Sequence, residues 1–335
     1  MKKTNKDVIL KEGLFRKLVE NINVPVMVTD KKEKIVLVNG KYLDFFQLDE
    51  RKVIGRSWPD VIIPERGHRE AHKIFDYMKK EKTFVRFDAS GLEQGQEAGK
   101  CMSWTAIPME SENYFFFMFV EKEESDTPEG NVIKKYKHTP DLTKKTYRCI
   151  VEMFFAALRT GEPGTAIHSE RIMSFAVPLS QKLGLSPEKI ERIKVACLLH
   201  DLGKLAIDEK ILFKAGKLNK CEFEKIKEHP HMGAVIANLF YFLEDIIPAM
   251  VDHHENYDGS GYPSGIKGEE IPMEARILSV ADVYEALTAD RPYRKGFSVE
   301  RAIEIMEKEK GHKLDPKITD IFLHMVRGGE FKKIK

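Results

Sequence analysis

Two doublets stand out in the sequence, His200-Asp201 and His253-His254, with His168 upstream and Asp282 downstream. Imidazole and carboxylate are ligands for divalent cations, and helical phase argues that each points inward. Ile190, Ile193, Cys197 and His200 recur at steps of three and four, the spacing of one apolar helix face. Ile247, Met250, Val251 and His254 repeat the pattern, Leu278, Asp282 and Ala286 are spaced by four, and His168 is in line with Ile172, Phe175 and Leu179. One inward histidine is ordinarily a hydrogen-bonded core residue, but an inward aspartate is unfavourable unless it is paired or holds a cation. Four helices each aiming such a group inward have a common solution in a metal site. Adjacent helical residues point about 100° apart, which suits two neighbouring ions better than one, with Asp201 as the carboxylate between them. Two divalent ions outweigh the charges of Asp201 and Asp282. The surplus suits a hydroxide and a phosphodiester oxygen, the arrangement of two-metal hydrolysis. Imidazole and carboxylate without thiolate fit iron, manganese or zinc better than magnesium or calcium.

The elements that must position these groups are helices. Beyond about residue 140 the sequence is helical to its end. Ser186-Pro187 reads as N-cap and first position of a helix, Asn219 opens another, and His229-Pro230 marks a boundary between two more. The front half reads differently. Val24 to Thr29 and Lys34 to Asn39 flank the turn Asp30-Lys31-Lys32-Glu33 as a hairpin. Helical patterning follows through Tyr42, Phe45 and Phe46 and from Ile74 to Met78. Phe84 to Ala89, Cys101 to Pro108 and Tyr114 to Val120 then read as three more strands. Five strands with short helices between the second and third make a small α+β sandwich. Glu121 to Pro140 is charged, contains Thr127-Pro128-Glu129-Gly130 and reads as a connector.

The bulk properties bound the partners. With 335 residues and 42% hydrophobic content, the chain has room for two packed domains. Its 55 basic and 53 acidic residues leave a net charge of +2, which calls for neither a nucleic acid polymer nor an anionic membrane. The longest apolar run, Tyr114 to Val120, is strand length rather than the roughly 20 residues of a spanning helix. Val8, Ile9 and Leu10 are too short a block for a signal-peptide core. Cys101, Cys149, Cys197 and Cys221 have no zinc-site spacing and read as buried or idle thiols in a reducing cytoplasm. Of 11 histidines, eight lie between His168 and His324. His68 and His72, spaced by four among Arg66, Arg69, Glu70 and Lys73, read as a solvated helix face.

The hairpin ending in Val38-Asn39, the short helices and the meander resemble a PAS domain, with Glu33 where a glycine is often found. The series His200-Asp201-Leu202-Gly203-Lys204, His229-Pro230, His253-His254, Gly261-Tyr262-Pro263 and Asp282 resembles the HD-GYP family, a branch of the HD phosphohydrolases, over about Thr146 to Arg327. The resemblances imply an α+β N-terminal PAS-like domain at 13–122, a connecting segment at 123–145 and an all-α HD-type helical bundle at 146–335. They imply hydrolysis of cyclic di-GMP to pGpG, and onward to GMP, under control of the front domain. The family's metal ligands map onto His168, His200, Asp201, His229, His253, His254 and Asp282. Where family members with a third metal carry a glutamate, four residues before His168, this chain has Gly164, with Glu162 two residues off that spacing. Two ions are therefore expected, iron first and manganese next, and no organic cofactor.

Lys204, four residues after His200, overhangs the metals in this reading, binds the scissile phosphate and helps protonate the leaving oxygen. Tyr262 sits on a turn-rich loop, Asp258 to Gly265, and contacts phosphate or base. By the resemblance Arg291 and Arg294 hold the non-scissile side of the dinucleotide, where arginine forks suit phosphate oxygens. A homodimer through the PAS-like domain or connecting helix is expected by analogy. Two other functions fit the same motifs: a catalytically weak cyclic di-GMP-binding adaptor, and a hydrolase of another cyclic dinucleotide such as cyclic GMP-AMP.

Overall fold

A computed structural model describes residues 13–22, 24–81, 85–93, 96–109, 114–121, 133–135, 140–161, 163–214, 216–290 and 295–331. The chain divides into two compact units. The first runs to Ala157 and includes Leu239–Phe242; the second comprises Leu158–Asn238 and the chain from Leu243 onward.

In the first unit, helix α1 (Leu14–Asn21) precedes strands β1 (Val26–Asp30) and β2 (Ile35–Val38), which pair antiparallel as the hairpin expected. Glu33 adopts a φ of 65° in the turn, the left-handed region where a glycine has no steric penalty. The Asp30 carboxylate secures this turn by accepting from the backbone N–H groups of Lys32 and Lys34 at 2.8 and 2.9 Å. Four helices follow, α2 (Gly40–Phe46), α3 (Glu50–Val53), α4 (Trp58–Ile62) and α5 (His68–Glu81). Strands β3 (Val85–Glu93), β4 (Gln96–Met109) and β5 (Tyr114–Glu121) complete the meander. A sixth strand, β6 (Ile133–Lys135), pairs with β3 inside the segment that reads as a connector. The sheet order is β2-β1-β5-β4-β3-β6, antiparallel throughout.

Buried Asn39 ties this unit together. Its Oδ1 accepts from Val26 N and Tyr42 N, and its Nδ2 donates to the carbonyls of Val19, Ile22 and Val24. One side chain thus joins the end of α1, the start of β1 and the cap of α2, and its amide is satisfied on both sides. His68 and His72 have separate partners, Ile63 O and the Glu33 carboxylate.

Helix α6 (Pro140–Gly161) crosses the division between the units. The second unit continues with α7 (Pro163–Lys182), α8 (Pro187–Leu199), α9 (Glu209–Leu212), α10 (Lys220–Ile226) and α11 (His229–Ala237). It closes with α12 (Ile247–Asp252), α13 (Met273–Thr288), α14 (Val299–Glu309) and α15 (Pro316–Arg327). The starts follow the capping signals: Ser186 accepts from Lys189 N, and Asn219 forms a reciprocal capping box with Glu222. Ile172, Phe175 and Leu179 of α7 pack with Cys197 of α8, Leu278 of α13 and Phe322 of α15 in one core. Each fully buried side chain of this size contributes about 1.5–3 kcal/mol, so the apolar faces fix the rotation of each helix. That rotation decides where His168 and Asp282, both inside helices, point. Among the described residues, no helix is long and apolar enough to cross a membrane.

Candidate metal centre and its cleft

Both doublets lie where helices end, which departs from the mid-helix placement their phasing suggests. His200 is the C-cap of α8, and Asp201 (φ −93°, ψ 8°) opens a tight 3-10 turn over Leu202–Ala206. His253 is the C-cap of α12, and His254 lies in the turn beyond it. The divergence of neighbouring helical residues therefore does not set their directions; the helix ends do. His168 comes from α7, His229 is the first residue of α11, and Asp282 comes from α13, so five helices contribute rather than four.

The donor atoms converge in two groups, His168 with His200 and Asp201, and His229 with His253 and His254, each with its atoms within 4.8 Å of one another. Asp201 touches both groups: its Oδ2 lies 3.2 Å from His200 Nε2 and its Oδ1 3.2 Å from His229 Nε2. Asp282 Oδ1 is 3.1 Å from His168 Nε2. The Nδ1 atoms of His200, His229 and His253 face the carbonyls of Cys197, Ile226 and Met250, at 2.9, 2.6 and 2.7 Å. A carbonyl only accepts, so each Nδ1 carries a proton and donates it, which leaves the Nε2 lone pair aimed into the site. His229 Nε2 and His253 Nε2 then face each other at 3.4 Å. Two buried acceptors that close repel unless a cation or a proton stands between them.

The electrostatics favour the cation. Burial, followed by the neighbouring imidazoles, holds His253 well below the ordinary histidine value, and burial brings His254 down to about 4. Burial pushes Asp201 upward, but His200, Lys204 and His229 outweigh it and hold the carboxyl well below its usual range. Burial opposes the ionised form of Asp282 too, and His168 brings it down to about 2. For His168 burial is opposed by Asp282 and Glu285, which raise it to about 9. His253 and His254 held neutral beside ionised Asp201 and Asp282 in a buried cluster are donors suited to a divalent transition metal, so the residues present fit metal binding.

Two glycines permit the arrangement. A Cβ on Gly203 would stand 1.9 Å from His229 O and 2.4 Å from Gly233 N, so the turn after Asp201 lies directly on the α11 backbone. A Cβ on Gly261 would stand 2.3 Å from Asn256 N and 2.6 Å from His254 O, so the Tyr262 loop folds tightly back on the second doublet.

Lys204 Nζ is 2.7 Å from Asp201 Oδ2. Tyr262 stacks obliquely on His254, ring centroids 4.9 Å apart and planes 31° apart. It lines a cleft of about 410 Å³ that also exposes His254, Asp282, Phe223, Lys227 and Lys313. Arg291 and Arg294 lie outside the described residues, as does Glu162. Gly164 is exposed and offers no ligand.

Sequence reasoning passed over two buried carboxylates. Glu285 accepts from His168 Nδ1 at 2.6 Å and lies 3.8 Å from Arg171. It is one turn from Asp282 on the same helix, and that spacing was a readable signal. Glu255 accepts from Ser264 N at 2.6 Å and Gly265 N at 2.9 Å, anchoring the loop that carries Tyr262. Nothing in its neighbourhood in sequence distinguishes it from a surface glutamate.

Residues 152–318 match the HD domain family and residues 13–96 the PAS fold. The chain is 39% identical over 171 residues to the cyclic di-GMP phosphodiesterase response regulator RpfG of Xanthomonas campestris pv. campestris, covering 50% of this chain and 45% of that protein. It is 35% identical over 179 residues to 3'3'-cGAMP-specific phosphodiesterase 3 of Vibrio cholerae serotype O1, covering 53% and 39%. It therefore spans less than half the length of these two relatives. Among solved structures it is similar to a HDG"Y"P protein from Bdellovibrio bacteriovorus, at 20% identity over 55% of this chain and 64% of that one, with a TM-score of 0.42. Residues 152–318 of this chain are an HD domain, and the PAS domain stands ahead of it.

Proposed function

We propose that the HD domain is a metal-dependent phosphodiesterase that hydrolyses cyclic di-GMP to pGpG and onward to GMP. The observation that carries this reading is Asp201, whose two oxygens face imidazoles of two separate donor groups. His168, His200, Asp201, His229, His253, His254 and Asp282 are the proposed ligands of two divalent ions, with Asp201 between them. Imidazole and carboxylate donors without thiolate support iron first and manganese next. Ions held there supply a nucleophile at neutral pH and Lewis-acid polarisation of the phosphoryl oxygen.

The remaining steps belong to the chain. Lys204 neutralises the scissile phosphate and donates a proton to the leaving 3′ oxygen as the P–O3′ bond breaks. The incoming water forms the new P–O bond, and the proton it loses returns to the lysine through solvent. Tyr262 contacts the dinucleotide at the mouth of the cleft, and Arg291 and Arg294 hold its far phosphate. The Vibrio cholerae relative supports 3'3'-cGAMP as a second substrate to be tested beside the first.

The protein loaded anaerobically with iron or manganese is expected to turn over cyclic di-GMP, followed by chromatography beside cyclic GMP-AMP. Absence of turnover with either metal and either substrate overturns the enzyme reading in favour of a binding protein. Full activity in Asp201→Asn overturns the ligand assignment. The PAS domain is proposed to regulate this activity in a cytoplasmic homodimer paired through that domain or its connecting helix. Analytical ultracentrifugation of the intact chain tests the pairing, and a monomer at micromolar concentration refutes it.

A further inference from the structure

One wall of the cleft is built of groups that neither the core nor the metal ligands require. Phe223 of α10 is 45% exposed, so folding does not account for its large apolar face. One turn on, Lys227 places Nζ 5.1 Å from the Phe223 ring centroid and 5.6 Å from that of Tyr262. Tyr262 in turn lies against His254. The order across the wall is therefore Phe223, Lys227, Tyr262, then a proposed metal ligand. The ion partner of Lys227 is Glu224 at 3.0 Å, a solvent-exposed pair on the same helix that constrains the ammonium weakly. The two aromatic faces aim it over the cleft instead.

A cyclic dinucleotide brings two purines and two phosphates to a site whose metals engage one phosphate. The other half needs a flat apolar face and a cation within a nucleotide's length of the metals. We propose that Phe223 and Lys227, together with Tyr262, form the subsite for the non-scissile nucleotide: the open face of Phe223 stacks on the purine, and Lys227 shares with Arg291 and Arg294 the neutralisation of its phosphate. A base stacks on an aromatic ring whatever its identity, so this subsite provides affinity and reach, not discrimination between guanine and adenine.

The inference rests on the cyclic-dinucleotide reading, and the experiment separates the two. Steady-state kinetics on cyclic di-GMP and cyclic GMP-AMP are measured for the metal-loaded full chain and for Phe223→Ala, Phe223→Leu, Phe223→Trp, Lys227→Gln and Glu224→Gln, with metal content determined for each. Phe223→Ala is expected to raise KM roughly 5- to 150-fold for both substrates, the range for loss of one stacked base. Phe223→Trp restores KM and Phe223→Leu does not. Lys227→Gln raises KM and flattens its salt dependence, while Glu224→Gln leaves it unchanged and metal content stays constant throughout. KM values within twofold of wild type in Phe223→Ala and Lys227→Gln overturn the subsite while leaving the activity intact. Loss of metal or of folding in Phe223→Ala, or rescue by leucine as well as by tryptophan, assigns Phe223 to structure and overturns it too. A wild-type protein that neither binds nor cleaves a cyclic dinucleotide refutes the functional reading and the subsite with it.

Discussion

Replacing Gly203 by alanine tests whether the metal centre depends on a backbone contact rather than on its ligands alone. The new Cβ would stand 1.9 Å from the His229 carbonyl oxygen, about 1.5 Å short of an ordinary 3.4 Å contact, and 2.4 Å from Gly233 N. Both neighbours are backbone, so no side chain can rotate away, and the turn and α11 must part by more than an ångström. Overpacking of this kind costs about 1–3 kcal/mol, which for a domain of this size lowers Tm by about 2–12 °C. The displaced residue is His229, whose Nε2 lies 3.2 Å from Asp201 Oδ1 and 3.4 Å from His253 Nε2. Misplacing a reacting arrangement by about 1 Å costs about 100-fold in rate. Calorimetry, metal content by mass spectrometry and turnover are the assays. Gly203→Ala is expected to lose metal and most activity, whereas Gly233→Ala, whose nearest contacts would be 3.1 Å from Gly203 N and 3.2 Å from the flexible Met250 Cε, loses less. A Gly203→Ala protein with unchanged Tm and full metal content would refute the reasoning.

Glu285→Leu removes the acceptor for His168 Nδ1 and is expected to weaken metal affinity about 10- to 100-fold. Glu285→Gln, which can still accept through its amide oxygen, recovers most of that; equal losses in a metal titration would show that the hydrogen bond is unimportant. Glu255→Ala strips the Tyr262 loop of its carboxylate acceptor, at about 1.5–3 kcal/mol per charged hydrogen bond. The expected readout is raised KM with unchanged metal content, and unchanged KM would count against the loop's role in substrate binding. In the metal-free protein His168 titrates at about 9, above its ordinary 6.5. The protonated form is bound better in the folded state, so its contribution to stability is complete below about pH 6.5 and is lost as pH rises through about 9. Melting curves of the chelated protein should show that decline, and His168→Asn should remove it.

Much of the fold was legible because local chemistry carried it. Ser186-Pro187 and Asn219 announced their helices through capping. The hairpin around Asp30 to Glu33 was legible from its β-branched runs, though not from a glycine: Glu33 takes the left-handed conformation between Lys32 and Lys34, whose N–H groups the Asp30 carboxylate accepts. Strand β6 was hidden in a charged connector. Three residues pairing with β3 leave too little periodicity to read, and only the presence of an open sheet edge makes them a strand.

The sequence by itself determined which groups exist to bind a cation: His200-Asp201, His253-His254, His168, His229 and Asp282, each carried by a helix or by the turn at its end. Only the tertiary structure decided how those groups meet. The helix ends at His200 and His253 turn the doublets, and the backbone contact at Gly203 seats α11. The carbonyls of Cys197, Ile226 and Met250 select the nitrogen that each imidazole offers. Glu255, Phe223 and Lys227 line the cleft from positions that look like ordinary surface. The physical reason is that phase and capping act within a few residues along the chain, whereas tautomer, close approach and the lining of a cleft are set by groups far apart in sequence.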